Sequence, residues 1–166
     1  MKYTSLNELS TFQFHNALFN SIKIIDKTMY WEMSAIDIMT TNSQNNHTKD
    51  MTTDLAYIVF DDVVIHSLER TACDTYNSKN ELIKSVKNII IHESEYNKVF
   101  DNVNSQYSFT YGMEEFVQIN DSQYKTCFNV YSAGENYHLT IFFSKVIVSW
   151  DEYTGDAWYE HPKWKK

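Results

Sequence analysis

Arginine is almost absent from this chain: of fourteen Lys and Arg residues, only Arg70 carries a guanidinium. The bidentate fork that grips phosphates and guanine edges is therefore scarce. With 22 Asp and Glu the formal net charge is −8. Both facts disfavour nucleic acid and anionic membrane as partners. Three Gly and one Pro in 166 residues leave no material for a Gly-rich phosphate loop or a Pro/Gly linker. The two cysteines, Cys73 and Cys127, are far apart and outside any CxxC pattern. They read as reduced thiols rather than a disulfide framework. No apolar run approaches the ~20 residues of a membrane-spanning helix. Met1 to Thr11 lacks the basic-then-apolar order of a signal peptide. The expectation is a soluble, cytoplasmic protein with no cofactor and no membrane partner.

What is present is hydrophobic and aromatic residue in quantity, 43% and 16% of the chain. A single domain over 1–166 can bury roughly two-thirds of its unfolded surface at this length, without metal or disulfide. Twelve Tyr and ten Phe favour sheet. The abundance of Asn, Ile, Lys and Tyr beside one Arg suggests an AT-rich bacterial genome as the source.

Periodicity then places elements. Residues 17–25 read as a strand and 28–38 as its hairpin partner, with Met29, Trp31, Met33 and Ala35 on one face. Residues 39–53, rich in Asn, Thr and Ser, read as a disordered or binding loop. Residues 54–60 and 63–68 read as strands separated by Asp61-Asp62. Ser78-x-x-Glu81 has the form of a capping box. Leu82, Ile83, Val86, Ile89 and Ile90 follow at helical spacing, although Ile89-Ile90-Ile91 suits a strand equally. Tyr96, Val99, Phe100 and Val103 make a cleaner helical stripe. Strands from Phe128 to Trp150 read as an antiparallel meander, turning at 133–136 and again at Ser144-Lys145. The expected fold class is α+β, predominantly antiparallel β as a curved sheet or sandwich, with one or two short helices.

No catalytic or metal motif is complete. The six histidines have no zinc-pair spacing. His92-Glu93 opens like HExxH but has Tyr96 in the second histidine position. His66 and His138 sit on strands and read as tolerated sheet histidines. Cys127 opens a strand and reads as a small core residue. A Cys–His dyad needs partners that meet in space, which sequence does not reveal. Adjacent carboxylates at 61–62, 114–115 and 151–152 point to opposite strand faces.

The chain's end holds the strongest surface signal. After a strand over 146–150 it turns at Gly155 into a second short strand. Trp150, Tyr153, Trp158 and Tyr159 alternate there with Asp151, Glu152, Asp156 and Glu160, and Trp164 follows. Rigid aromatics ringed by carboxylates suit a basic protein partner. The competing reading makes Trp150 and Trp158 core and the acids rim. A carbohydrate or small-molecule cleft built from Trp158, Tyr153, Asp151 and Asp156, hydrolytic or not, is the alternative function. A homo-oligomer burying the patch on itself is a third.

Phe14-His15-Asn16-Ala17 before a hairpin, with Trp150-Asp151-Glu152 and Ala157-Trp158-Tyr159-Glu160 at the end, resembles small bacterial proteins that open on FHDA or FHDS. Some of these are grouped with immunity proteins of toxin systems. The resemblance covers about a fifth of the chain and implies no catalytic residue. The first expectation for function is a non-enzymatic, intracellular binding protein, with an immunity-type inhibitor as its specific form.

Overall fold

The computed structural model describes residues 1–161 and Lys163. The chain opens with β1 (Tyr3–Leu6), β2 (Phe12–Gln13), β3 (Leu18–Ile25), β4 (Thr28–Ser34) and β5 (Ile36–Ile38). It continues through β6 (Met51–Thr53), β7 (Ala56–Asp61), β8 (Val64–Arg70), β9 (Cys73–Tyr76), β10 (Leu82–Val86) and β11 (Ile89–Ile90). Helix α1 (Tyr96–Ser105) leads into β12 (Ser108–Asn120), β13 (Gln123–Ser132), β14 (Glu135–Phe143), β15 (Lys145–Trp150) and β16 (Gly155–Asp156). The pairings are antiparallel, so the fold is α+β and mainly β, as the alternating pattern predicts.

Ten strands form one sheet in the order β1-β15-β7-β4-β3-β12-β13-β14-β8-β11. The order hides a return. β7 runs into β8 through two residues, and β14 into β15 through Ser144 alone. β15 pairs with β7, and β14 with β8. Two long ribbons thus pair along their whole length and bend together, which brings the sheet back on itself. The bend is hydrogen-bonded: Ser144 N–H donates to Asp61 O at 2.9 Å and Ser144 Oγ to Asp62 Oδ2 at 2.7 Å. Asp62 adopts φ 54°, a left-handed conformation Asp tolerates better than most residues.

This curl explains the core. Trp31 on β4 meets Phe128 on β13 edge-on at 4.7 Å between centroids, and Phe60 on β7 at 4.9 Å. Phe60 meets Phe143 at 5.0 Å. Trp31 and Phe60 stand on neighbouring strands, but Trp31–Phe128 and Phe60–Phe143 join strands separated in the sheet order and touch only because the sheet curls. Edge-to-face pairs add about 0.5–1.5 kcal/mol each beyond area burial. Val99, Phe100 and Val103 of α1 are buried in the same cluster, so the stripe read from sequence is the helix's inward face. A smaller sheet, β16-β6-β5-β2, packs alongside.

Several expectations are corrected. Ala35 is exposed at φ 58°; it breaks β4 from β5 instead of extending the apolar face. Residues 39–50 are an ordered loop, and 51–53 are a strand. Buried Asn42 donates to Thr11 Oγ1 at 2.7 Å, and Asn45 to Ile38 O at 2.9 Å. The polarity that suggested disorder satisfies backbone and hydroxyl groups internally. Residues 79–92, for which the sequence suits helix and strand equally, form strands and no helix. Asn77 Oδ1 accepts from Lys79 and Glu81 N–H at 2.9 and 3.0 Å and closes a hairpin turn between β9 and β10. That local hydrogen bonding competes with a helix start, and the β-branched residues after it suit strand. Finally, β14 and β15 do not pair, so the meander ends at β14. The expected C-terminal hairpin is also absent: β16 pairs with β6.

Candidate functional site

The C-terminal aromatics divide by burial. Trp150 is fully buried, stacked on Tyr3 and edge-on to Phe12, because it faces inward on β15. It belongs to the core and not to the partner-binding surface expected of it. Tyr153 is half-buried between Tyr3, Trp150 and His47, and its hydroxyl donates to Gln44 O at 2.9 Å. Tyr159 donates to Asp50 Oδ2 at 2.9 Å; burial and that carboxylate push its phenol well above the ordinary range. Trp158 remains 53% exposed, on a 3₁₀ turn Trp158–Glu160 anchored by Ala157 N–H to Asp50 O at 2.8 Å. Trp164 lies outside the described residues. Asp151 accepts from Lys2 N–H at 2.9 Å, Asp156 is ion-paired to Lys49, and Glu152 is exposed. The cleft reading needs Asp151 and Asp156 to converge; Asp151 is instead held by the Lys2 main-chain N–H and Asp156 by the Lys49 ammonium.

A second surface was not read from the sequence. Alternation on β12 and β13 sends Phe109, Tyr111 and Tyr131 to the sheet's outer face, and Tyr107, just before β12, joins them there. Phe109 lies 5.8 Å from Tyr107, 5.0 Å from Tyr111 and 4.9 Å from Tyr131. Tyr107 is 71% exposed and Tyr111 47%. His15 links this ladder to the C-terminal turn: its Nδ1 lies 3.0 Å from Tyr111 O, and its ring 6.4 Å from that of Trp158.

The same outer face carries a compact polar cluster further along. Cys127 Sγ lies 2.8 Å from His138 Nε2, which is 3.0 Å from Glu114 Oε2. The register explains the meeting. β13 and β14 pair Asn129 with His138 and Cys127 with Thr140, so these four side chains share a face. Glu114 falls at an irregularity of β12 between Met113 and Glu115, and a bulge re-aims a side chain. Asn129 Nδ2 donates to Glu114 Oε1 at 2.7 Å, and Thr140 Oγ1 to Cys127 Sγ at 3.4 Å. Burial raises the Cys127 thiol above its ordinary pKa, aided by the Glu114 and Glu115 charges. The Asn129 and His138 hydrogen bonds hold Glu114 below the usual carboxylate range. Sulfur and carboxylate both approach Nε2, whereas a catalytic relay places its orienting acid on the other ring nitrogen. With Cys127 only 2% exposed and its thiol neutral, the arrangement does not suit a nucleophile.

The protein-family models, the curated proteins and the solved structures contain no match to this chain. The sites therefore rest on their own geometry. No helix among the described residues is long and apolar enough to cross a membrane.

Sequence reading missed the tyrosine ladder and the Cys127 cluster for one reason. Both depend on which residues of β12, β13 and β14 stand side by side. The separations 107/131 and 114/127/138 match no motif. The period-two alternation was legible, and a hairpin register centred on Asp121-Ser122 was the signal that could have found them.

Proposed function

We propose that this chain is a non-enzymatic binding protein that recognises a basic protein partner through an aromatic and acidic surface. Its centre is the ladder Tyr107–Phe109–Tyr111–Tyr131, continued through His15 to Trp158, with Asp151, Glu152, Asp156 and Glu160 as the acidic contribution. The observation that carries this reading is the ladder itself: Phe109, Tyr111 and Tyr131 in mutual contact, with Tyr107 against Phe109, on the solvent side of a sheet. They stand apart from the inward-facing rings of the core. Large exposed aromatic groups mark interaction sites. Tyr and Trp give rigid contact area at low entropic cost and dominate binding hot spots. The net charge of −8 would steer a cationic partner and make encounter salt-sensitive. An immunity-type inhibitor that caps a cationic surface is the specific form we propose, and its working compartment is the cytoplasm.

The test is affinity capture from the native lysate at low and high salt, comparing the natural protein with Tyr111→Ala and Trp158→Ala. A basic partner held at low salt and weakened by about 2 kcal/mol or more in either variant supports the reading. A partner bound equally well by both folded variants, or only self-association on light scattering, refutes it.

A further inference from the structure

Cys127, His138 and Glu114 pose a hydrogen-bonding problem that points to a ligand. Their three donor atoms lie within 4.8 Å of one another, and two of them crowd one nitrogen, His138 Nε2, at 2.8 and 3.0 Å. A neutral imidazole has at most one proton on that nitrogen. If Nε2 carries it and donates to Glu114, the Cys127 thiol has no acceptor there. If Nε2 accepts from the thiol, Glu114 faces a lone pair. A cation at the centre satisfies all three atoms at once.

We propose that Cys127 Sγ, His138 Nε2 and Glu114 Oε2 form a binding site for one divalent ion of the zinc class. The ligand set supports that choice. Thiolate and imidazole together select zinc and its borderline neighbours over magnesium or calcium, which prefer all-oxygen sites. Tetrahedral zinc, with bonds of about 2.0–2.3 Å, sets its ligand atoms about 3.3–3.7 Å apart. The cluster reaches this by opening the Cys127–His138 separation of 2.8 Å by about 0.7 Å and the His138–Glu114 separation of 3.0 Å by about 0.3 Å; the Glu114 and His138 side chains, 54% and 29% exposed, have room to move. The supporting contacts are those a metal site uses to orient its ligands. Thr140 donates to the sulfur and Asn129 to the free oxygen of Glu114. Glu115 is already paired with Lys125, so the fourth position falls to water on the Glu114 side, which is also the route of entry. Binding replaces the thiol S–H bond by an S–metal bond and releases that proton to solvent.

Cobalt(II) is the probe, because a cobalt–thiolate bond absorbs in the near ultraviolet and a tetrahedral cobalt site in the visible. The metal-free protein is titrated with cobalt chloride, then with zinc chloride to displace it. The expected result is a charge-transfer band that saturates at one cobalt per chain and is bleached by one zinc. Cys127→Ser, a one-atom change, should abolish the band. Glu114→Gln, at the exposed rim, should weaken zinc at least about tenfold, the lower end of what even an orienting residue costs. Cys73→Ser should change neither. Circular dichroism checks that each variant is folded. No band with the natural protein, or a band that persists in folded Cys127→Ser, overturns the site.

Discussion

Asn104 offers the sharpest test of how the curled sheet is held. β3 and β12 are neighbours in the sheet, yet their ladder is one bridge, Phe109 with Leu18. Beyond it, α1 supplies the missing partners. Asn104 Oδ1 accepts from Ile22 N–H at 2.6 Å, and Asn104 Nδ2 donates to Ile22 O at 2.9 Å. The side chain thus imitates one residue of an adjacent strand, at a site where Ile22 is only 3% exposed. Asn104→Ala removes both bonds. Each hydrogen bond contributes roughly 1 kcal/mol net, and a buried group left without a partner costs about 1–3 kcal/mol. Replacing Asn by Ala inside a helix returns roughly 0.5 kcal/mol of propensity. The net expectation is a loss of about 2 kcal/mol. Urea unfolding followed by the fluorescence of buried Trp31 and Trp150 measures it, with the denaturant slope unchanged. The exposed Asn97→Ala on the same helix isolates the propensity term and should be neutral or slightly stabilising. A loss under about 0.5 kcal/mol for Asn104→Ala would show that water replaces the side chain and that the helix does not complete the sheet.

Two further expectations follow from burial. Trp150→Ala should cost about 3–5 kcal/mol of stability, while Trp158→Ala should cost less than about 1 kcal/mol; thermal unfolding of the pair checks the division into core and surface. Asp37 is 3% exposed, and burial raises its pKa, opposed by a hydrogen bond from Thr52 and aided by the Asp50 charge. Its folded-state pKa lies above the unfolded value, so its favourable contribution is present below the ordinary carboxylate pKa. That contribution is lost as pH rises through the raised value. Asp37→Asn should therefore equal or exceed the natural protein in stability near neutral pH, and the difference should shrink or reverse in acid. Melting temperatures across that range would contradict this if the variant were the weaker protein at neutral pH.

The sequence by itself determined what depends on near neighbours. Alternation along Thr28–Ser34 set Met29, Trp31 and Met33 inward, and the same period held through Tyr137–Phe143. The stripe Val99, Phe100, Val103 fixed the helix and its buried face. These are local patterns, because a strand's period of two and a helix's of 3.6 are properties of the backbone. The sheet class followed as well. Tertiary structure decided the rest. Leu82 to Ile90 carried helical spacing, but helical spacing needs an apolar surface to dock on, and turn chemistry at Asn77 took the segment into a hairpin. Trp150 and Trp158 looked alike in sequence; inward position on β15 buried one, and a short turn on the surface left the other open. Cys127, His138 and Glu114 met only through the register of three strands and one bulge. Register is fixed by which face the core buries, summed over the whole sheet, and no local stretch of chain contains that sum.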